Sequence, residues 1–145
     1  MGEDAPVRII RMKAGDEAMV QKAEPLFDDP VNLAATRAFL ADDRHHLLVA
    51  YTEEDEPAGF VSAVELFHPD EPRPEMFLNE LGVEPAFQRR GIATALINEL
   101  IQLCKSRGCS EMWLGTEETN TPAMRTYERA GGKREDFVLF TYEIK

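Results

Sequence analysis

The sequence of 145 residues predicts an α/β fold: a mixed central sheet of six or seven strands with helices on both faces, built by a single domain over residues 1–145. Three observations lead there. Short apolar runs bounded by turn residues alternate with stretches of helical periodicity, an order that covers a sheet with helices. One strongly periodic helix follows directly on a strand and a glycine-bearing turn. The hydrophobic fraction, 43%, suffices for one core at this length.

In chain order, residues 7–12 alternate weakly and read as a first strand, broken at Gly15 and Asp16. Asp16 caps a helix on which Ala18, Met19, Ala23, Leu26 and Phe27 recur at helical spacing. Asp28, Asp29 and Pro30 end it, because a residue before proline avoids the helical region. Leu33, Ala34, Phe39 and Leu40 mark a second short helix, and Asp42 and Asp43 a turn. Residues 46–52, HLLVAYT, read as a buried strand, and an acidic turn leads to its partner over 58–67. Gly59 in that partner signals a bulge or a close backbone approach. The proline-rich stretch HPDEPRPE, 68–75, reads as a loop. Residues 76–83, MFLNELGV, form the next strand.

The helix after the turn carries two apolar rows: Ile92, Leu96, Leu100 and Leu103, then Ala93, Ile97, Ile101 and Cys104. Together they make a broad buried face. Lys105 and Arg107 suit its last turn and Gly108 its stop. Residues 111–116 predict a strand. A polar loop and a helix between Pro122 and Gly131 come next. Residues 137–144 predict the last strand.

Composition narrows function. No apolar run is long enough to span a bilayer. The opening MGEDAPVRIIRM is acidic, without the apolar stretch of a signal peptide, and Gly2 has no Ser or Thr at the myristoylation position. A cytoplasmic protein is expected. Cys104 and Cys109 suit a reducing compartment without pairing. His45, His46 and His68 do not join them in a metal site, since neighbours on a strand point to opposite faces; no metal is expected. A net charge of −11 argues against nucleic acid, which needs a basic patch. It suits a cationic small-molecule amine as partner, although an acidic surface that keeps the protein in solution explains the same charge; a homodimer is a further expectation.

Two features carry chemistry. The first is the turn Gln88-Arg89-Arg90-Gly91-Ile92-Ala93 at a helix N-terminus, where free N–H groups and two arginines suit a pyrophosphate. An ordinary solvated arginine pair explains the same residues. The spacing fits neither a dinucleotide fingerprint nor a P-loop. The second is Glu80. A strand covered on both faces should be nearly all apolar, and with a period of two Met76, Leu78, Glu80 and Gly82 share a face. A carboxylate there is wet at a cleft, paired with a nearby arginine, or a general base that takes a proton from an attacking amine. Asp28, Asp29, Glu117 and Glu143, with Glu80, are candidates for an acidic acceptor cleft; singly, each also reads as a solvated charge. Tyr127 also reads as a core aromatic and Asn120 as a helix cap.

QRRGIA resembles the Gln/Arg-x-x-Gly-x-Gly/Ala turn of the GNAT superfamily of N-acetyltransferases, and LGVEPAFQ resembles that family's approach to it. The resemblance implies a GNAT-like fold and acetyl-CoA as cofactor. Its pyrophosphate would be cradled by Gln88, Arg89, Arg90, Gly91, Ile92, Ala93 and Thr94. The backbone at Leu81, Gly82 and Val83 would face the acetyl group and pantetheine, with Asn120 a further pantetheine contact. Glu80 would be the base and Tyr127 the acid for the leaving thiolate. Within the superfamily the chain looks most like the aminoglycoside 3-N-acetyltransferases of the gentamicin and fortimicin type. LFDDP, EPRPEMFLNELGV, QRRGIATALINELI, TPAMRTYERAGGKRED and FTYEI carry that similarity. It implies acetylation of the 3-amino group of 2-deoxystreptamine and antibiotic resistance. Glu80 stands where that branch has aspartate, and Asn120-Thr121-Pro122 where it has an acidic pair before proline. The alternatives are a polyamine, another small amine or a protein N-terminus as acceptor, or a non-catalytic CoA-binding module.

Overall fold

Four of the apolar runs become the long strands of one sheet in the computed structural model, which describes residues 6–145; Gly2 and the acidic start lie outside. The chain divides into two units, residues 1–115 and 116–145. The first holds β1 (Arg8–Arg11), β2 (His45–Tyr51), β3 (Pro57–His68), β4 (Glu71–Val83) and β5 (Met112–Trp113), in the spatial order β1-β2-β3-β4-β5. Pairing is antiparallel as far as β4, and β4 with β5 is parallel. Parallel neighbours need a crossover, here the helix α3 (Ile92–Arg107). Helices α1 (Glu17–Lys22) and α2 (Leu33–Ala41) lie between β1 and β2 in the chain, with a 3-10 turn at Glu24–Leu26.

The helices of this unit cover opposite faces. A Cβ built on Gly59 would meet Ile92 and Leu96 of α3, whereas one on Gly82 would meet Phe60 and the Leu26 carbonyl. Met12, Val20, Leu47, Val49, Tyr51 and Phe60 form the core on the α1 and α2 side. Ile92, Leu96, Ile97, Leu100 and Cys104 are the buried stripe of α3, the face its periodicity announced.

Two expectations need correction. The proline-rich stretch is largely strand, because β4 starts at Glu71. Proline suits extended backbone, and its missing N–H is tolerated where the ladder is interrupted; the register slips between Leu66 and His68, opposite that stretch. Among the described residues the sheet has five strands, not six or seven. Residues 137–144 have no regular structure, although Phe137, Leu139, Phe140 and Tyr142 are strongly exposed apolar side chains of good strand propensity. A strand is defined by a partner, and no strand among the described residues pairs with this segment.

The C-terminal end of α3 is fastened three ways. Gly108 takes the left-handed conformation at φ 75°, and the Cys109 N–H bonds the Cys104 carbonyl at 3.0 Å, closing the last turn. Arg73 of β4 donates to the Gly108 and Cys109 carbonyls. Arg107 bridges Glu65 of β3 and Asp43. Glu65 also accepts from buried His46 at 2.8 Å, while Arg11 donates to the other ring nitrogen at 3.0 Å. A guanidinium can only donate, so His46 is neutral with its proton on Nε2. Burial holds its pKa below the ordinary histidine range. Cys104 and Cys109 are free and buried, and burial pushes the Cys104 thiol up to about 12.

Candidate active site

The site begins at a bulge. Ala63 pairs with Leu78, but Ser62 pairs with Glu80, so Asn79 is an extra residue in β4. The two-residue period expected across this strand is broken there. Leu78 lies on the α3 side with Ala63, and Glu80 and Gly82 lie on the α1 and α2 side with Ser62 and Phe60. A bulge of this kind re-aims a side chain.

On that side a cleft of about 350 Å³ opens. Its acidic groups are Asp28, Asp29 and Glu80, and its apolar walls include Phe27, Phe39, Leu47 and Phe60. The Phe27 and Phe60 rings meet edge-on with centroids 4.7 Å apart. Asp28 and Asp29 lie on the loop between the 3-10 turn, which ends at Leu26, and α2, which starts at Leu33; the helix expected to run to Asp28 and Pro30 stops at Lys22. Glu80 is exposed, and its Oε1 accepts a hydrogen bond of 3.3 Å from the Ser62 hydroxyl. Three of the five expected acceptor residues therefore share one cleft.

The strand then runs into the candidate anion-binding turn. Parallel pairing with β5 covers only Met76 and Phe77. Beyond them, no strand among the described residues pairs with that edge of β4; N–H groups alternate between the two edges of a strand, and those of Leu81 and Val83 point to the unpaired one. Leu81, Gly82 and Val83 are half-buried. The Gln88 side chain donates to the Val83 carbonyl at 3.1 Å, tying the turn to the strand end. Arg89 and Gly91 take left-handed conformations, at φ 65° and 76°. Positive φ is uncommon for a non-glycine residue, and a backbone of alternating hand gathers N–H groups into an anion-binding concavity.

Gly91 is the N-cap of α3 and offers no capping side chain. The first intrahelical bond is from the Ala95 N–H to the Gly91 carbonyl. The N–H groups of Ile92, Ala93 and Thr94 precede it and have no intrahelical partner, and the first turn carries no acidic residue. The Ile92 side chain is buried beneath the helix, so only its N–H can serve. Arg89 and Arg90 are exposed, Arg90 lying over the Phe87 ring at 5.6 Å. These features fit a pyrophosphate.

The remaining expected residues belong to the second unit. There α4 (Thr121–Arg129) is capped by the Asn120 side chain, which accepts from the Ala123 N–H at 3.3 Å. Tyr127 is half-buried on α4, and burial raises its phenol pKa. Glu117 lies in the polar loop before α4 and Glu143 in the irregular segment 137–144; both are exposed. Sequence reasoning missed Ser62 and the aromatic walls. Ser62 had a signal, being the only polar side chain between Ala58 and Val64.

Residues 15–132 match the model of the acetyltransferase (GNAT) family. The ribosomal protein bS18-alanine N-acetyltransferase of Haemophilus ducreyi is 35% identical over 86 residues, covering 59% of this chain and 55% of that protein. The chain thus spans about half the length of that curated relative. An aminoglycoside acetyltransferase from an uncultured soil metagenomic sample, solved with sisomicin, superposes with a TM-score of 0.89 at 20% identity, over 96% of this chain and 97% of that one. AAC(6')-Iy, solved with a bisubstrate analogue of CoA and acetylneamine, gives 0.79 at 22% identity, over 97% of this chain and 100% of that one.

Proposed function

The chain belongs to the acetyltransferase (GNAT) family, and we propose that it transfers an acetyl group to an amine of a cationic small molecule, an aminoglycoside, with Glu80 as general base. The carrying observation is continuity. One strand bears a carboxylate aimed into an acidic cleft by a bulge, and within a few residues ends at an anion-binding helix N-terminus. Acetyl-CoA, the acyl donor of this family, supplies the activated thioester when bound. The first-turn N–H groups of α3, with Arg89 and Arg90, hold its pyrophosphate. Asp28 and Asp29 draw in the polycation and orient it. Glu80 takes the ammonium proton, directly or through one water, so that nitrogen becomes a nucleophile. The open amides of β4 near Leu81 and Val83 donate to the carbonyl oxygen as it gains charge. By the family resemblance of its segment, Tyr127, whose phenol pKa burial raises further, is the proposed proton donor to the departing sulfur.

The experiment is thiol release from acetyl-CoA with a panel of amines. Turnover on 2-deoxystreptamine drugs, with the product's acetyl position read by NMR, tests the class and separates the 3-amino group suggested by sequence from a 6'-amino group. Turnover on spermidine alone overturns the aminoglycoside reading. A second reading, acetylation of a protein N-terminal alanine, is favoured by the Haemophilus ducreyi relative. The cleft's aromatic walls fit it too. A peptide carrying the N-terminus of bS18 belongs in the same panel.

A further inference from the structure

Ser62 stands in β3 between Val61 and Ala63 and is 6% exposed. A buried hydroxyl must find a hydrogen-bond partner. This one finds a carboxylate on the neighbouring strand: its Oγ donates to Glu80 Oε1 at 3.3 Å, and the two residues are direct cross-strand partners. The meeting depends on Asn79. If Asn79 paired in the ladder instead of bulging out, the register carried by Ala63 and Leu78 would set it opposite Ser62 and turn Glu80 to the α3 face.

Glu80 has reason to need such a contact. It is exposed, its side chain has several rotatable bonds, and no described residue bonds its Oε2. A base that must meet an incoming ammonium gains from being held in one rotamer. Both residues line the same cleft.

We propose that Ser62 is the positioning residue for Glu80: it fixes Oε1 and thereby presents Oε2 to the acceptor amine. This rests on Glu80 acting as the base. Ser62→Ala removes the donor with little change in volume. It should lower kcat about tenfold, near the 1.4 kcal/mol that a tenfold change represents, and leave the acetyl-CoA dissociation constant unchanged. Ser62→Thr keeps the hydroxyl and should restore most of the rate. In a Glu80→Gln background, Ser62→Ala should have no further effect, because the group it positions no longer accepts a proton. Thermal melting of each variant confirms a folded protein.

Wild-type kcat in Ser62→Ala overturns the proposal while leaving the base in place. So does a loss that Thr does not rescue, or one that adds in full to Glu80→Gln. Wild-type turnover in Glu80→Gln overturns the base itself, and Ser62 with it.

Discussion

A carboxylate that accepts a proton can be tested by an amide that cannot. Glu80→Gln keeps the shape and should lower turnover near neutral pH by roughly a hundred- to ten-thousand-fold. Activity should recover in part at high pH, where more of the acceptor is already free amine. The acetyl-CoA dissociation constant should hold, since the pyrophosphate turn is untouched. Near-wild-type turnover with an unchanged pH profile would move the role to solvent or to another acid. Tyr127→Phe should act more gently, because a thiol of pKa about 8.5 leaves tolerably unaided; wild-type turnover would reduce Tyr127 to packing. Glu80 was legible in the sequence because an acidic residue interrupts an apolar strand. Its partner was not. Ser62 is equally conspicuous in AGFVSAVELF, but which residue lies across from it depends on one bulge, and no local pattern announces a bulge.

At the scale of elements, α3 was legible to its ends: period, basic last turn and Gly108 all agree. Its N-terminal Gly91 is the left-handed N-cap and the proposed pyrophosphate contact. Gly91→Val places a β-branched residue at φ 76°, where it is strained, and points bulk at the anion. CoA binding should weaken by well over tenfold, measured by calorimetry on folded protein; an unchanged dissociation constant would sink the pyrophosphate assignment. Gly82→Ala probes the cleft wall instead. Its Cβ would lie 2.9 Å from Phe60 Cε1, so the ring must shift. The acceptor KM should rise several-fold; unchanged acceptor kinetics would remove Phe60 from the acceptor's surroundings. The ends of the sheet were the least legible elements. Prolines at 72 and 74 read as a loop, yet an interrupted ladder tolerates them. Residues 137–144 read as a strand, yet strand propensity cannot supply a neighbour.

For the whole molecule the governing quantities are charge and pH. The net charge of −11 predicts that a polycationic acceptor's KM rises with ionic strength, as screening shortens the reach of the acidic cleft; a salt-independent KM would argue for an uncharged apolar acceptor. The buried network at His46 predicts an acid limit to stability. The folded chain keeps His46 neutral, with its pKa lowered by burial, while the unfolded chain protonates it near the ordinary value of about 6.5. Below that pH the unfolded state binds a proton that the native state refuses, so stability falls as pH falls. His68, raised by Glu75 and largely solvent-screened, works in the opposite sense. His46→Gln mimics the neutral tautomer and should flatten the melting temperature between pH 7 and about 5, relative to wild type; an equal slope in both would clear His46.

The two cysteines have a practical consequence for the bench. At neutral pH a thiol with a pKa of about 12 is almost wholly protonated, and thiolate is the reactive form. Cys104 and Cys109 are each 8% exposed, and burial raises both. A chromogenic disulfide reagent added to native enzyme should therefore give little immediate colour and count only released coenzyme. In guanidinium chloride the same sample should consume two equivalents. That difference gives a direct titration of how much of a preparation is folded, and it makes the continuous thiol assay usable even with the enzyme at high concentration.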